Sequence, residues 1–193
     1  MKSRIVAAVL VAVFLSSCSQ KQPEKTADAT AGTQTATSDN VSELLNLQQM
    51  PNRTPEFSWK DASGNVVTFA SARKKVTLVN FWATWCGPCK AELPDLIDLS
   101  KQYANKDVEF IGIATDRGDN VISDVRAFVK DKGIPYQIVM SNEDLEEAFG
   151  TIRAIPMTFI VDKDGKILTS FLGARSKDFF VQTLDKYLAQ SGA

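Results

Sequence analysis

Hydrophobic and polar positions divide this chain into three stretches. Ile5 to Leu15 is unbroken apolar sequence, residues 19–40 hold almost no large apolar side chain, and a globular pattern begins near Pro55. Phe57-Ser58-Trp59 and Val66-Val67-Thr68-Phe69 flank a turn at Ser63-Gly64-Asn65 and predict a hairpin. Val76 to Trp82 is rich in β-branched and aromatic residues, as a buried central strand should be. Leu93, Leu96, Ile97 and Ser100 share a helical face, predicting a helix from about Pro88 to Tyr103 with a kink at Pro94. Val108 to Ala114 reads as a second buried strand. Val121, Val125, Phe128 and Val129 mark a helix ending at Lys132, followed by a strand from Tyr136 to Met140 and a short helix from Asn142 to Phe149. Met157–Val161 and Ile167–Leu172 pair across Asp164-Gly165. Ser176 caps a last helix carrying Phe179, Phe180, Leu184, Tyr187 and Leu188. Val41 to Met50 predicts a short helix. Alternating strands and helices, closed by a hairpin and a helix, give an α/β class with a mixed sheet covered on both faces.

The first apolar run is about half the length a membrane-spanning helix requires, and Lys2 and Arg4 precede it, as in an export signal. Leu15-Ser16-Ser17-Cys18 resembles the bacterial lipobox, where the chain is cut before a cysteine that becomes acylated; the alternative is an ordinary signal with a chance cysteine. The resemblance implies a signal peptide at 1–17, lipidation of Cys18, and residence in the cell envelope facing the periplasm or exterior. Acyl chains contribute about 0.8 kcal/mol per buried CH2, so several together hold firmly. Residues 18–54 then form a mostly disordered tether, because Ser19 to about Asn40 cannot bury enough surface to offset its ordering entropy. The folded domain is expected over 55–193.

Charge and composition narrow the chemistry. A formal net charge of -1 argues against a nucleic-acid partner. The absence of histidine removes Cys-His and Ser-His catalysis, histidine-ligated metals and CxxCH haem attachment. Three cysteines are too few for a disulfide scaffold or an all-cysteine zinc site, so neither metal nor cofactor is expected. With Cys18 acylated, Cys86 and Cys89 are the only free thiols.

Those two lie in Trp85-Cys86-Gly87-Pro88-Cys89-Lys90, between the Val76–Trp82 strand and the following helix. A helix N-terminus offers free N–H groups and partial positive charge, which favour a thiolate. The two-residue spacer lets the sulfurs close a small ring. Cys86 is expected to be the exposed nucleophile and Cys89 the more buried resolving thiol. Half a zinc site lacks its remaining ligands, and inert core cysteines need no Gly-Pro spacer.

Val79-Asn80-Phe81-Trp82-Ala83-Thr84 followed by that motif resembles the thioredoxin superfamily active site. More narrowly it is similar to the TlpA/ResA group of membrane-attached bacterial proteins, with support from Glu92-Leu93-Pro94 and Ile155-Pro156-Met157-Thr158-Phe159. The resemblance runs from about Pro55 to the C-terminus. It implies a thioredoxin-like fold: a central mixed β-sheet with helices on both faces, an N-terminal β-hairpin, and an inserted α-β unit over Val121 to Met140. It implies that Glu92 tunes the cysteines and takes the Cys89 proton. Thioredoxin has a buried Asp where this chain has Asn80, so either Glu92 or water serves. It also implies a cis Pro156 that turns Ile155 outward to pair with a substrate strand, and a Trp85 on the apolar rim. Trp82 is expected in the core and Lys90 in solvent.

The function so implied is reduction of disulfides in exported proteins by a monomer, with a membrane electron donor for re-reduction. Apocytochrome c in cytochrome c maturation is the most specific candidate substrate. Gly-Pro between the cysteines matches reducing thioredoxin, at about −270 mV, rather than the oxidant DsbA at about −120 mV. A peroxiredoxin-like peroxidase is one alternative, but Val79 and Ala83 stand where its motif needs Pro and Thr. A non-catalytic binding module or holdase is another, and the intact cysteine pair speaks against it.

Overall fold

A computed structural model of the chain describes residues 40–190. The signal peptide, Cys18 and the tether up to residue 39 lie outside the described residues. Strands β1 (Val41–Ser42), β5 (Val76–Trp82), β6 (Val108–Ala114), β7 (Gln137–Met140), β8 (Met157–Asp162) and β9 (Ile167–Leu172) form one sheet in the order β1-β7-β6-β5-β8-β9. The pairs β1–β7, β7–β6 and β6–β5 are parallel; β5–β8 and β8–β9 are antiparallel. A second, antiparallel sheet holds β2 (Leu44–Gln48), β3 (Glu56–Lys60) and β4 (Val66–Thr68). The helices are α1 (Phe69–Ala72), α2 (Gly87–Gln102), α3 (Val121–Lys132), α4 (Glu143–Ala148) and α5 (Lys177–Gln190). The mixed sheet and its covering helices agree with the expected class. The inserted unit is α3 plus β7, which takes a place in the sheet between β6 and β1.

The central strand β5 is buried at every position. Successive side chains point to opposite faces, so Val76, Leu78 and Trp82 join one core cluster while Val79 and Phe81 join another. The first cluster takes Leu93, Leu96 and Leu99 of α2, Val125 and Val129 of α3, and Phe180 and Leu184 of α5. The second takes Phe57, Trp59, Phe69, Leu145 and Phe149. Each such side chain contributes about 1.5–3 kcal/mol when fully buried. Asn80 is the polar interruption on the α2-facing side of β5. Gly112 on β6 carries no side chain for a steric reason: a Cβ there would come within 2.5 Å of Ile138 Cδ1 and 2.9 Å of Trp82 Nε1.

The predicted helix over Val41–Met50 is not formed. Those residues make β1 and β2 instead, because tertiary partners outweigh local propensity. The Asn40 side chain donates to the carbonyls of Ile134 and Tyr136, Ile138 N–H donates to Asn40 O at 2.7 Å, and Val41 is buried. Leu44 and Leu47 lean on the second core cluster as β2 pairs with β3. The folded body therefore begins by Asn40, upstream of the expected start at residue 55, and the N-terminal hairpin grows to three strands. Phe69, expected to end a strand, starts α1, because Thr68 and Ser71 form a reciprocal N-terminal cap. On α2 the core position falls to Leu99, whereas Ile97 and Ser100 are half-buried.

Candidate active site

β5 ends at Trp82, and the chain turns through Ala83, Thr84 and Trp85 into α2. The turn closes with a Cys86 N–H bond to Ala83 O at 3.1 Å. Cys86 is the N-cap of α2, and its Sγ accepts the Cys89 N–H at 3.2 Å. A free N–H of the first helical turn is thereby aimed at the first sulfur, the arrangement that favours negative charge there. Cys86 and Cys89 are joined as a disulfide.

The expected contrast in exposure is absent from this oxidised form: Cys86 is 4% exposed and Cys89 5%. Both sulfurs are closed into the disulfide, and the carbonyl oxygen of Ile155 lies 3.8 Å from Cys86 Sγ. A disulfide sulfur has no proton, so that approach is a contact rather than a hydrogen bond. Gly87 and Pro88, between the cysteines, are exposed.

The Ile155–Pro156 peptide bond is cis. Pro156 O accepts the Gly173 N–H at 2.8 Å, and Met157 pairs with Leu172, so β8 and β9 fix this loop over the sulfurs. Trp85 is 68% exposed, and Leu172 on the β9 side is 54% exposed. Trp85 thus presents an exposed apolar side chain directly beside Cys86. Trp82 is buried and packs at a tilt against Phe128 of α3, with its indole N–H lacking a hydrogen-bond partner. Lys90 points to solvent.

Glu92, one helical turn beyond Cys89, is 3% exposed. Its Oε1 accepts from the Asn80 amide at 3.2 Å and its Oε2 from the Arg175 backbone N–H at 2.7 Å. The Asn80 amide also donates to Thr158 Oγ1 at 2.9 Å. Burial pushes the Glu92 carboxyl up to about 7. The two hydrogen bonds and the Arg175 charge oppose that rise, and the nearby Asp95 charge adds to it. Near neutral pH this carboxyl can therefore hold or release a proton, which an ordinary surface glutamate cannot do.

Sequence reasoning missed three contributors. Asp116, just beyond β6, accepts the Thr84 backbone N–H on both carboxylate oxygens at 3.1 Å and the Thr84 hydroxyl as well. An acidic residue after a buried parallel strand, at the edge where α/β sheets carry their sites, was the available signal. Thr158 lies in the quoted proline segment but drew no role. Arg175 acts through its main-chain N–H, which no side-chain pattern can announce. Among the described residues no group of three or more Cys, Asp or Glu side chains is placed to hold a metal ion.

The redoxin family profile matches residues 49–188, most of the chain. The thiol-disulfide oxidoreductase ResA of Bacillus thuringiensis is 30% identical over 132 residues, which span 67% of this chain and 73% of that protein. A crystal structure of a thioredoxin-family thiol:disulfide interchange protein from Chlorobium tepidum is 33% identical with a TM-score of 0.63, covering 72% of this chain and 97% of that one. The exposed lipoprotein thioredoxin of Streptococcus pneumoniae is 25% identical with a TM-score of 0.58, covering 68% and 98%. With a disulfide at the mouth of α2 and a cis-proline loop across it, the chain belongs to the redoxin family, as a thioredoxin-like protein of the TlpA/ResA type.

Proposed function

We propose that this protein is a thiol–disulfide oxidoreductase that reduces disulfides in exported proteins. The observation that carries the reading is the Cys86–Cys89 disulfide at the N-terminus of α2, with Ile155 O 3.8 Å from Cys86 Sγ. In the reduced protein, Cys86 forms the thiolate, favoured by the N–H of Cys89 and the helix terminus. It attacks one sulfur of a substrate disulfide; a Cys86–substrate bond forms and the other substrate sulfur leaves as a thiolate. Glu92 takes the Cys89 proton. Cys89 then attacks Cys86 Sγ, restoring the internal disulfide and releasing the second substrate thiolate. Two electrons pass from the protein to the substrate, so a membrane electron donor must return them. Ile155 presents its backbone to an extended substrate strand, and Trp85 supplies apolar contact.

The lipobox at Cys18 supports anchoring in the cell envelope, and a structural neighbour is named as an exposed lipoprotein. Among the described residues no helix is long and apolar enough to cross a membrane. The resemblance to the TlpA/ResA group puts apocytochrome c first among candidate substrates.

Insulin-disulfide reduction is the test of activity: the wild type should precipitate insulin under a thiol reductant and Cys86→Ser should not. Cys89→Ser should retain substrates as mixed disulfides on Cys86 when expressed in its host. A wild type that fails to reduce insulin while its disulfide cycles normally contradicts the reductase reading. Radiolabelled palmitate should enter the wild type and not Cys18→Ala.

A further inference from the structure

The steps above leave Asp116 unused, although it is 7% exposed and sits beside the redox loop. Its carboxylate takes the backbone N–H and the hydroxyl of Thr84, two residues before Cys86. Its neighbour Thr115 donates its N–H at 2.8 Å and its hydroxyl at 3.2 Å to Trp82 O. The end of β6 thus clamps the turn that delivers Trp85 and Cys86. A neutral side chain could also accept the Thr84 N–H, though more weakly, and the charge that a carboxylate brings has a second consequence.

No lysine or arginine among the described residues forms a salt bridge with that carboxylate. Arg117 directs its guanidinium to Asp116 O and to Glu146 of α4. Other charged residues on the elements around the loop are Lys90, Glu92, Asp95, Asp98 and Lys101 on α2, Arg153 before the cis-proline and Arg175 on the β9–α5 turn. Thr84 and Cys86 are two residues apart, so their Cα atoms are separated by at most about 7 Å. Asp116 therefore sets a buried negative charge, with no salt-bridge partner, against the segment that leads into Cys86; such a charge opposes a thiolate there, whereas the helix terminus favours one. A destabilised thiolate gives a more reducing dithiol.

We infer that Asp116 is a positioning residue for the redox loop, holding Thr84 in place while its charge keeps the Cys86–Cys89 pair reducing. The inference rests on the reductase reading above. Its thiol readouts, however, need only folded protein, whereas insulin reduction by the wild type tests the reading itself.

The experiment compares the wild type with Asp116→Asn and Thr84→Val. The alkylation rate of Cys86 against pH, in a Cys89→Ser background, gives the thiol pKa. Equilibration of the intact pair with glutathione gives its redox balance. Asp116→Asn should lower the Cys86 pKa by about half a unit to one unit and shift the glutathione equilibrium several-fold toward the dithiol. Thr84→Val keeps the charge and loosens the clamp; it should lower insulin-reduction kcat/KM several-fold without lowering the pKa. An unchanged or raised pKa in Asp116→Asn overturns the charge role. Wild-type kcat/KM in Thr84→Val overturns the positioning role, and that variant decides the clamp should Asp116→Asn fail to fold.

Discussion

Asn80 on β5 and Glu92 on α2 share a buried hydrogen bond of 3.2 Å, donated by the amide to Oε1. It ties the redox helix to the central strand at the one polar position of an otherwise apolar face. The Asn80 amide reaches Thr158 with its other proton, so β5, β8 and α2 meet at one side chain. Asn80→Ala leaves a buried carboxyl short of one donor and Thr158 short of one partner. Loss of such a bond costs about 1–3 kcal/mol. Urea unfolding of the oxidised protein should show that loss, and the Glu92 carboxyl should titrate higher still. A variant as stable as the wild type contradicts this account of the interface.

Glu92 gives the fold a pH dependence of definite sign. Its carboxyl is pushed up to about 7 from 4.5, chiefly by burial. Between those values the folded state binds more protons than the unfolded state, so stability falls as pH rises through that window. The swing is on the order of 3 kcal/mol. Glu92→Gln stays neutral and should flatten the curve, gaining on the wild type at pH 8 relative to pH 5. Parallel curves for the two proteins in thermal melts would refute the assignment.

The same carboxyl has a kinetic consequence. If Glu92 accepts the Cys89 proton, Glu92→Gln slows the resolving step by about 100-fold, in the usual range for a positioned base. The Cys86 attack is less affected, so mixed disulfide should accumulate on quenched gels during insulin reduction. Resolution in the wild type should accelerate as pH rises through about 7, and this rise should vanish in the variant. Equal resolving rates would leave water as the acceptor.

What the sequence disclosed follows from how local each signal is. β5 and β6 match their predicted bounds because every residue but the half-buried Glu109 is buried between two layers and the apolar runs say so. The cysteine pair was legible because a short spacer at a strand-to-helix junction is itself the chemistry. β1 and β2 were not, since Val41 finds its place only through β7, almost a hundred residues downstream. The partners of Glu92 were hidden for a similar reason: Asn80 precedes it by 12 positions and the Arg175 N–H follows by 83. The similar burial of Cys86 and Cys89 belongs to the oxidised form, and a motif does not state a redox state.

Asn40 provides a test of that long-range strand. Its amide donates to two carbonyls on the segment leading into β7, and its own O accepts from Ile138 and from the Gln137 side chain. Asn40→Ala removes the side-chain bonds and keeps the backbone ones. Edge strands open locally before the whole domain unfolds. Amide exchange at Val41 and Ser42 should therefore rise about tenfold while β5 and β6 keep their protection, a change of about 1.4 kcal/mol in local stability. Uniform acceleration across the sheet would mean that β1 unfolds only with the core.

Gly112 links the sheet to the redox loop through Trp82. A Cβ at Gly112 would approach Ile138 Cδ1 to 2.5 Å and Trp82 Nε1 to 2.9 Å, with Tyr136 Cε2 at 3.4 Å. The Ile138 methyl can swing aside, but the indole is held between β6 and Phe128 and has little room to yield. Overpacking of this kind costs about 1–3 kcal/mol. The displaced Trp82 lies at the foot of the turn, where its carbonyl receives both donors of Thr115. Gly112→Ala should therefore lower both Tm and insulin-reduction kcat, because strain in the core reaches Cys86 through that turn. Gly133→Ala is the control: it lies at the C-cap of α3 in left-handed backbone, with open space around it. It should lower Tm by a comparable few degrees and leave kcat alone. If both variants lose kcat equally, the loss reflects general destabilisation and the route through Trp82 is wrong.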